Sequence, residues 1–197
     1  MSKGEDTRAV VLGSALSLAS EIGLEQVTIG RLAERVGLSK SGLFAHFNSK
    51  ENLQVQLLHE AIRRFVEMVV APALQEPRGE PRVRALFQRW LSWAKADFLP
   101  GGCIFIAAAV ELDDKPGPAR DVLVGSQRDW LETLAQAARI AVTERHFRKN
   151  LDVHLFAHEV YSLAYGYHFI HRLLNDPRAA SRTLAAFERL LADARAT

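Results

Sequence analysis

GLEQVTIGRLAERVGLSKSGLFAHFNSKENL, residues 23–53, is the stretch on which the reading of this chain turns. Thr28 stands where a hydroxyl can cap a helix, Ile29, Leu32, Ala33 and Val36 follow at helical steps, and Gly37 ends the run. Ser39 can cap a second short helix that carries Leu43 and Phe47 inward. Ser49, with Asn52 and Leu53 behind it, opens a third. A helix-turn-helix needs a small residue where two helices cross, a glycine in the left-handed turn, and an apolar residue on the second helix facing the first. Ala33, Gly37 and Leu43 supply these, with Leu38 as the apolar turn residue. An ordinary helical hairpin with the same Ala and Gly meets that spacing equally well. Between the apolar anchors, residues 36–53 present Ser, Lys, Asn and His side chains but no Arg. A polar partner is implied, and nucleic acid would have to be held without an arginine cluster.

Working outward, Val11, Ala15, Leu18 and Ile22 recur at steps of four and three, which predicts an amphipathic helix from Asp6 to Ile22 closed by Gly23. The helix opened at Ser49 is expected to reach Val70 or Ala71 and stop before Pro72. PALQEPRGEP, residues 72–81, reads as a linker by composition. Beyond it come a Trp-bearing helix from Arg82 to Phe98, a break at Gly101 and Gly102, a short apolar helix from Cys103 to Leu112, and a turn at DDKPGP, residues 113–118. Long helices are then predicted from Ala119 to about Phe147 and from Asp152 to Leu174. A last one starts at Asn175 and Asp176, with Pro177 at its first position, and runs to about Arg195. The expectation is an all-α protein of about nine helices.

Composition agrees and excludes several classes. With 197 residues and 48% hydrophobic content, the chain can bury a good core and is not disordered. The longest apolar run, Ile104–Val110, is too short to span a bilayer. MSKGEDTR at the start has no apolar leader segment, so a cytoplasmic location is expected. The single cysteine, Cys103, excludes an intrachain disulfide and a Cys-rich zinc site. Net charge is +2, and residues 1–60 carry slightly more carboxylates than cations, so a nonspecific polycation is excluded.

Residues 23–53 resemble the DNA-binding domain of TetR-family transcriptional regulators. That pattern has a helix opened by Thr, then Ala-x-x-x-Gly-apolar-Ser/Thr, then Gly/Thr-x-Tyr/Phe-x-His/Tyr-Phe-x-x-Lys-Glu-x-Leu. The match covers about 50 residues, from the first helix into the fourth; the remainder resembles the family only in helix order and length. The resemblance implies a three-helix DNA-binding domain over residues 1–50 and a connecting helix over 51–71. After the linker at 72–81 it implies an effector-binding and dimerisation domain over 82–197. It gives Thr28 a phosphate contact, makes Lys40 and Ser41 base-facing, lets the backbone at Gly42 sit close to the groove, and gives His46 and Lys50 phosphate. Arg31, Ser39 and Phe44 complete the expected DNA-binding set. Helix N-termini at Ser39 and Ser49 suit phosphate oxygens, which eases the absence of Arg. Phe44 departs from the pattern, where Tyr is usual. A Phe ring offers only apolar contact, for instance with a thymine methyl or sugar, or it packs beside Leu43.

One two-turn recognition helix touches few base pairs, so specificity demands two copies and a palindromic operator. Seams at alternating steps of four and three run through Phe156, Val160, Leu163 and Tyr167 and through Leu184, Phe187 and Leu191. They suit either a homodimer bundle like the family's or the chain's own core. A second stripe, His154, His158, Tyr161, Tyr165, His168 and Arg172, reads as the flank of an interface or the wall of a pocket. No carboxylate or Cys on that face completes a metal site at His154 and His158, so no metal and no cofactor are expected. Trp90, Trp93, Phe98, Cys103, Phe105, Ile106 and Trp130 sit on helices that enclose the effector cavity in relatives. With Tyr161, Tyr165 or His168 they would line a pocket for a small, largely apolar effector, or else form a ligand-free core. The implied function is a ligand-responsive regulator, a repressor, released from operator DNA by that effector. An enzyme is not expected, because nothing assigns Cys103 a base or an oxyanion hole. The rival is a helical ligand-binding or protein-interaction module without sequence-specific DNA binding. If a dimer makes roughly seven phosphate contacts, affinity should fall on the order of 10³–10⁴ between 50 and 200 mM salt. Fluorescence anisotropy on an operator duplex measures this, and a nearly flat salt response would exclude DNA as the partner.

Overall fold

The computed structural model describes residues 3–196, with side chains for 8–196. Part of MSKGEDTR therefore lies outside the described residues. The chain is all helical apart from one isolated antiparallel bridge, Phe147 with Arg195, among the described residues. Its elements are α1 (Lys3–Ile22), α2 (Ile29–Val36), α3 (Lys40–Phe47), α4 (Lys50–Phe65), a π turn (Val66–Val70), α5 (Ala71–Leu74), α6 (Glu80–Trp93), α7 (Ile104–Leu112), α8 (Pro118–Thr143), α9 (Val153–Arg172) and α10 (Ala179–Ala194). Since α4, the π turn and α5 are continuous, these make nine helical runs.

Several helix ends differ from expectation, each for a local reason. The fourth run passes through Pro72 to Leu74 instead of stopping before it. Proline lacks an N–H and its ring clashes with the carbonyl four residues back. The π turn widens the helix directly upstream, where Ala71 N–H bonds Val66 O five residues back, and so accommodates the ring. The non-helical connection is thus only 75–79. α6 ends at Trp93, five residues before Phe98, where the chain passes into a turn at Ala94 and Lys95. α8 ends at Thr143, and Arg145 takes a positive φ of 61°. α10 starts at Ala179 because Asp176 first caps a turn, its Oδ1 accepting from Arg178 N at 2.8 Å.

The chain divides into two compact units. The first runs up to Arg64 and takes in Lys95–Ser126; the second consists of Phe65–Ala94 and the chain from Gln127 onward. In the first, Ala15, Leu16, Leu24, Val27, Leu32, Leu43, Phe47, Leu53 and Leu57 are wholly buried. The loop between α1 and α2 is held from outside its own segment. Glu111 on α7 accepts from Leu24 N at 3.1 Å and from Glu25 N at 2.7 Å. Gln54 donates to Leu24 O at 3.1 Å, and Lys115 pairs with Glu25 at 2.7 Å. Gly101 N bonds Ser20 Oγ at 3.0 Å, and a Cβ built on Gly101 would lie 1.4 Å from Ser20 O, so this approach is open only to glycine.

In the second unit α9 packs on α10 and α6 on α9. Phe87 stacks on Phe187 at 4.0 Å between ring centres, and Phe65 meets Trp93 and Trp130 edge-on at 5.3 and 5.0 Å. Near the end of the chain, Arg195 donates to Glu80 at 2.7 and 2.9 Å, while Arg84 joins Glu80 at 2.8 Å and also grips Glu188. Arg195 foremost, with Arg84, holds the Glu80 carboxyl below its ordinary range. Arg148 N donates to Ala194 O at 2.8 Å and Ala196 N to His146 O at 3.0 Å, fastening the last residues in place.

Glu111→Ala would strip two backbone N–H groups of their acceptor and is expected to lower unfolding free energy by about 1–3 kcal/mol, with Glu111→Gln losing less. Urea denaturation measures the difference, and an Ala variant as stable as the parent would show that the clamp contributes nothing.

Candidate nucleic-acid interface

The site is built from two eight-residue helices and their caps. Thr28 Oγ1 accepts from Arg31 N at 3.2 Å and starts α2. Gly37, at φ 68°, stops it with its N–H on Ala33 O, joined by Leu38 N on the same carbonyl at 3.1 Å. A β-carbon at this φ is strained, which is why the turn demands glycine. Ser39 Oγ accepts from Gly42 N at 3.1 Å and starts α3. Asn48, at φ 61°, ends α3, where Asn52 Nδ2 donates to Phe47 O at 2.8 Å. Ser49 Oγ then accepts from Asn52 N at 3.0 Å to start α4.

With Leu43 and Phe47 wholly buried, the opposite face of α3 is committed outward. Ser39, Lys40, Ser41, Gly42, Phe44 and His46 are all exposed, as is Lys50 at the start of α4. Phe44 is 55% exposed and so does not pack beside Leu43 in the core. Lys40, Ser41 and Phe44 line one open cleft with Thr28, Ile29 and Gly30 of α2. The acceptor lone pairs of Thr28 and Ser39 are used by their helix caps, but a hydroxyl keeps a rotatable donor for an incoming phosphate. Arg31 is turned back on Gln26, donating to its backbone and side-chain oxygens at 3.3 and 3.2 Å. His46 lies edge-on to Phe47 at 6.4 Å.

Two cleft residues were not anticipated. Ile29 supplies an apolar wall, and Gly30 clears room for Lys40, since a Cβ there would lie 3.0 Å from Lys40 Cε and 3.5 Å from Nζ. The available signal was a glycine in the first turn of a helix, where it costs stability.

The aromatic set expected around an effector belongs to both units. Phe98, Cys103, Phe105 and Ile106 are in the first, with the Arg64 guanidinium over the Phe98 ring at 5.1 Å. Trp90, Trp93 and Trp130 are buried in the second, where Trp90 meets Tyr167 edge-on at 6.1 Å. Tyr161 donates to Gln127 Oε1 at 3.0 Å, and Tyr165 is 38% exposed. Burial foremost, then Arg172 and His171, lowers the His168 imidazole from its ordinary value, while burial raises the Tyr167 phenol.

The periodic seams lie largely inside the second unit. Phe156, Val160, Tyr167, Phe187 and Leu191 are buried against their own chain, leaving Leu163 and Leu184 half-buried. Large apolar residues that α9 and its end expose are instead Leu155, Phe169, Leu173 and Leu174. The heptad-like steps picked out the helix faces that meet within the unit. His154 and His158 are exposed, and no group of three or more metal-binding side chains occurs among the described residues.

Two short capped helices packed on one another, with a polar face turned outward in an otherwise all-helical chain, define a helix-turn-helix protein. Residues 11–57 match the family model for bacterial regulatory proteins of the tetR family, and residues 79–187 match that for the tetracyclin repressor-like C-terminal domain. The chain belongs to the TetR family. It is 39% identical over 85 residues to the HTH-type transcriptional repressor AcnR of Corynebacterium diphtheriae, a match covering 43% of this chain and 45% of that protein. The match thus spans under half the length of that curated relative. In fold it is similar to a TetR transcriptional regulator from Chloroflexus aurantiacus, with a TM-score of 0.87 and 23% identity over the whole of both chains. It is also similar to AibR, solved in complex with isovaleryl coenzyme A and operator DNA, with a TM-score of 0.67 and 19% identity over 82% of this chain and 84% of that one.

Gly30→Ala should change stability by less than about 1 kcal/mol, since Gly30 lies in the first turn and not the interior of its helix. Its new methyl must also move Lys40, so DNA affinity should drop by about threefold or more. Thermal denaturation and anisotropy read the two effects separately; unchanged DNA affinity would show that the position of Lys40 is immaterial.

Proposed function

We propose that this chain is a ligand-responsive transcriptional repressor that binds a palindromic operator as a homodimer and is released by a small, largely apolar effector. The observation that carries the reading is the division of α3: Leu43 and Phe47 are wholly buried while Lys40, Ser41 and Phe44 stand exposed along one cleft with the start of α2. An exposed basic and polar face on a short rigid helix suits insertion into the major groove. Thr28, Ser39, His46 and Lys50 then flank the phosphates, with Gly42 at the groove wall and Arg31 available once it swings from Gln26. In this reading residues 1–50 bind DNA, 51–71 connect, 72–81 link, and 82–197 bind effector and dimerise. The relatives named as repressors support repression. The operator and coenzyme A thioester held by AibR, a protein of similar fold, support both DNA and an organic effector as partners. The reading requires no cofactor and no catalysis. It is also consistent with a cytoplasmic protein, as no helix among the described residues is long and apolar enough to cross a membrane.

For the dimer, the exposed Leu155 and Phe169 of α9 and Leu173 at its end, with the half-buried Leu163 and Leu184, offer apolar surface for a second copy. Trp90, Trp93, Phe98, Cys103, Phe105, Ile106, Trp130, Tyr161, Tyr165 and His168 are the residues proposed for the effector. An effector that favours a DNA-incompetent arrangement of the two reading heads weakens operator binding by the same factor that operator weakens effector binding. Selection of bound fragments from genomic DNA should yield a palindromic site occupied by two chains in sedimentation. Phe169→Glu with Leu173→Glu should yield monomers that bind the site at least about tenfold more weakly. Failure to enrich any sequence at low salt would leave the interaction-module reading in its place.

A further inference from the structure

Resting on that DNA-binding reading, we infer that Phe44 is a specificity-determining residue: its ring, with Ile29, forms an apolar seat for the C5-methyl of one thymine in each operator half-site. Phe44 is 55% exposed although its neighbours Leu43 and Phe47 are fully buried, so the core of the first unit is complete without it. It lies three and four residues beyond Ser41 and Lys40, which places all three on one face of α3. The ring lines the same open cleft as Thr28, Ile29, Gly30, Lys40 and Ser41, so the cleft combines two large apolar side chains with an ammonium and hydroxyls. That combination matches a base edge at the groove wall. The polar groups suit phosphate and base heteroatoms, and the apolar ones suit whatever is apolar. A phenyl ring has no hydrogen-bonding group, and in the major groove the thymine methyl is the one apolar feature that distinguishes a base pair. A sugar contact, by contrast, would carry no sequence information.

The test uses the full-length protein and its genomically selected operator, with each thymine replaced in turn by uracil. This change removes the methyl and leaves base pairing intact. Loss of one methyl buried on an apolar seat corresponds to about fourfold in affinity, or about 15-fold for symmetric loss in both half-sites. The expected result is one such thymine per half-site for the parent protein. That sensitivity should be absent in Phe44→Ala and partly kept in Phe44→Leu, both with melting temperatures close to the parent because the position is exposed. Tight binding to the selected operator with no uracil-sensitive position, or equal sensitivity in Phe44→Ala, would overturn the methyl seat while leaving the DNA-binding reading intact. If no operator sequence is enriched, the DNA-binding reading itself falls and the inference falls with it.

Discussion

An eight-residue helix has no stability of its own in water. α3 exists because Leu43 and Phe47 are buried on one side and because both of its ends are closed by its neighbours. This constraint orders much of the first unit. Gly37 turns the chain so that α3 packs against α2. Ser39 and Asn48 set where the helix begins and ends, and Asn52 reaches back from α4 to hold the final carbonyl of the helix. What remains exposed on α3 is then a fixed, short row of side chains, which is what a reading element must be.

The same unit is braced by residues remote in the chain. Glu111 and Lys115 lie more than 80 positions beyond the α1–α2 loop, yet they hold it by two hydrogen bonds from its backbone and an ion pair, while Gly101 meets Ser20 in the last turn of α1 in a contact that excludes any side chain. α7 is therefore tied close to the start of α2, because Leu24 and Glu25 are fixed to Glu111 while Thr28 caps the helix only a few residues later. The linkage is made of hydrogen bonds whose loss is costly once their groups are part-buried.

The second unit shows how a periodic seam and an exposed surface separate. The alternating steps through Phe156, Val160 and Tyr167 and through Phe187 and Leu191 describe the faces of α9 and α10 that bury within the unit. Periodicity identifies an apolar face but not its occupant, because a helix from the same chain and one from a second copy place equal demands on a heptad-like stripe. The exposed set, Leu155, Phe169 and Leu173, lies away from that seam, and only the packing of α10 distinguishes the two.

The sequence by itself determined the helices, their capping residues at Thr28, Ser39 and Ser49, the glycine turn at Gly37, the buried pair Leu43 and Phe47, and the family. These depend on interactions between residues a few positions apart, so spacing reports them directly. Tertiary structure decided that Gly30 makes room for Lys40, that Phe44 faces outward along the cleft that Ile29 also lines, and that Glu111 closes the α1–α2 loop. Each of these depends on atoms that come near one another only when separate helices, or widely spaced parts of the chain, are packed together. No local pattern carries that information.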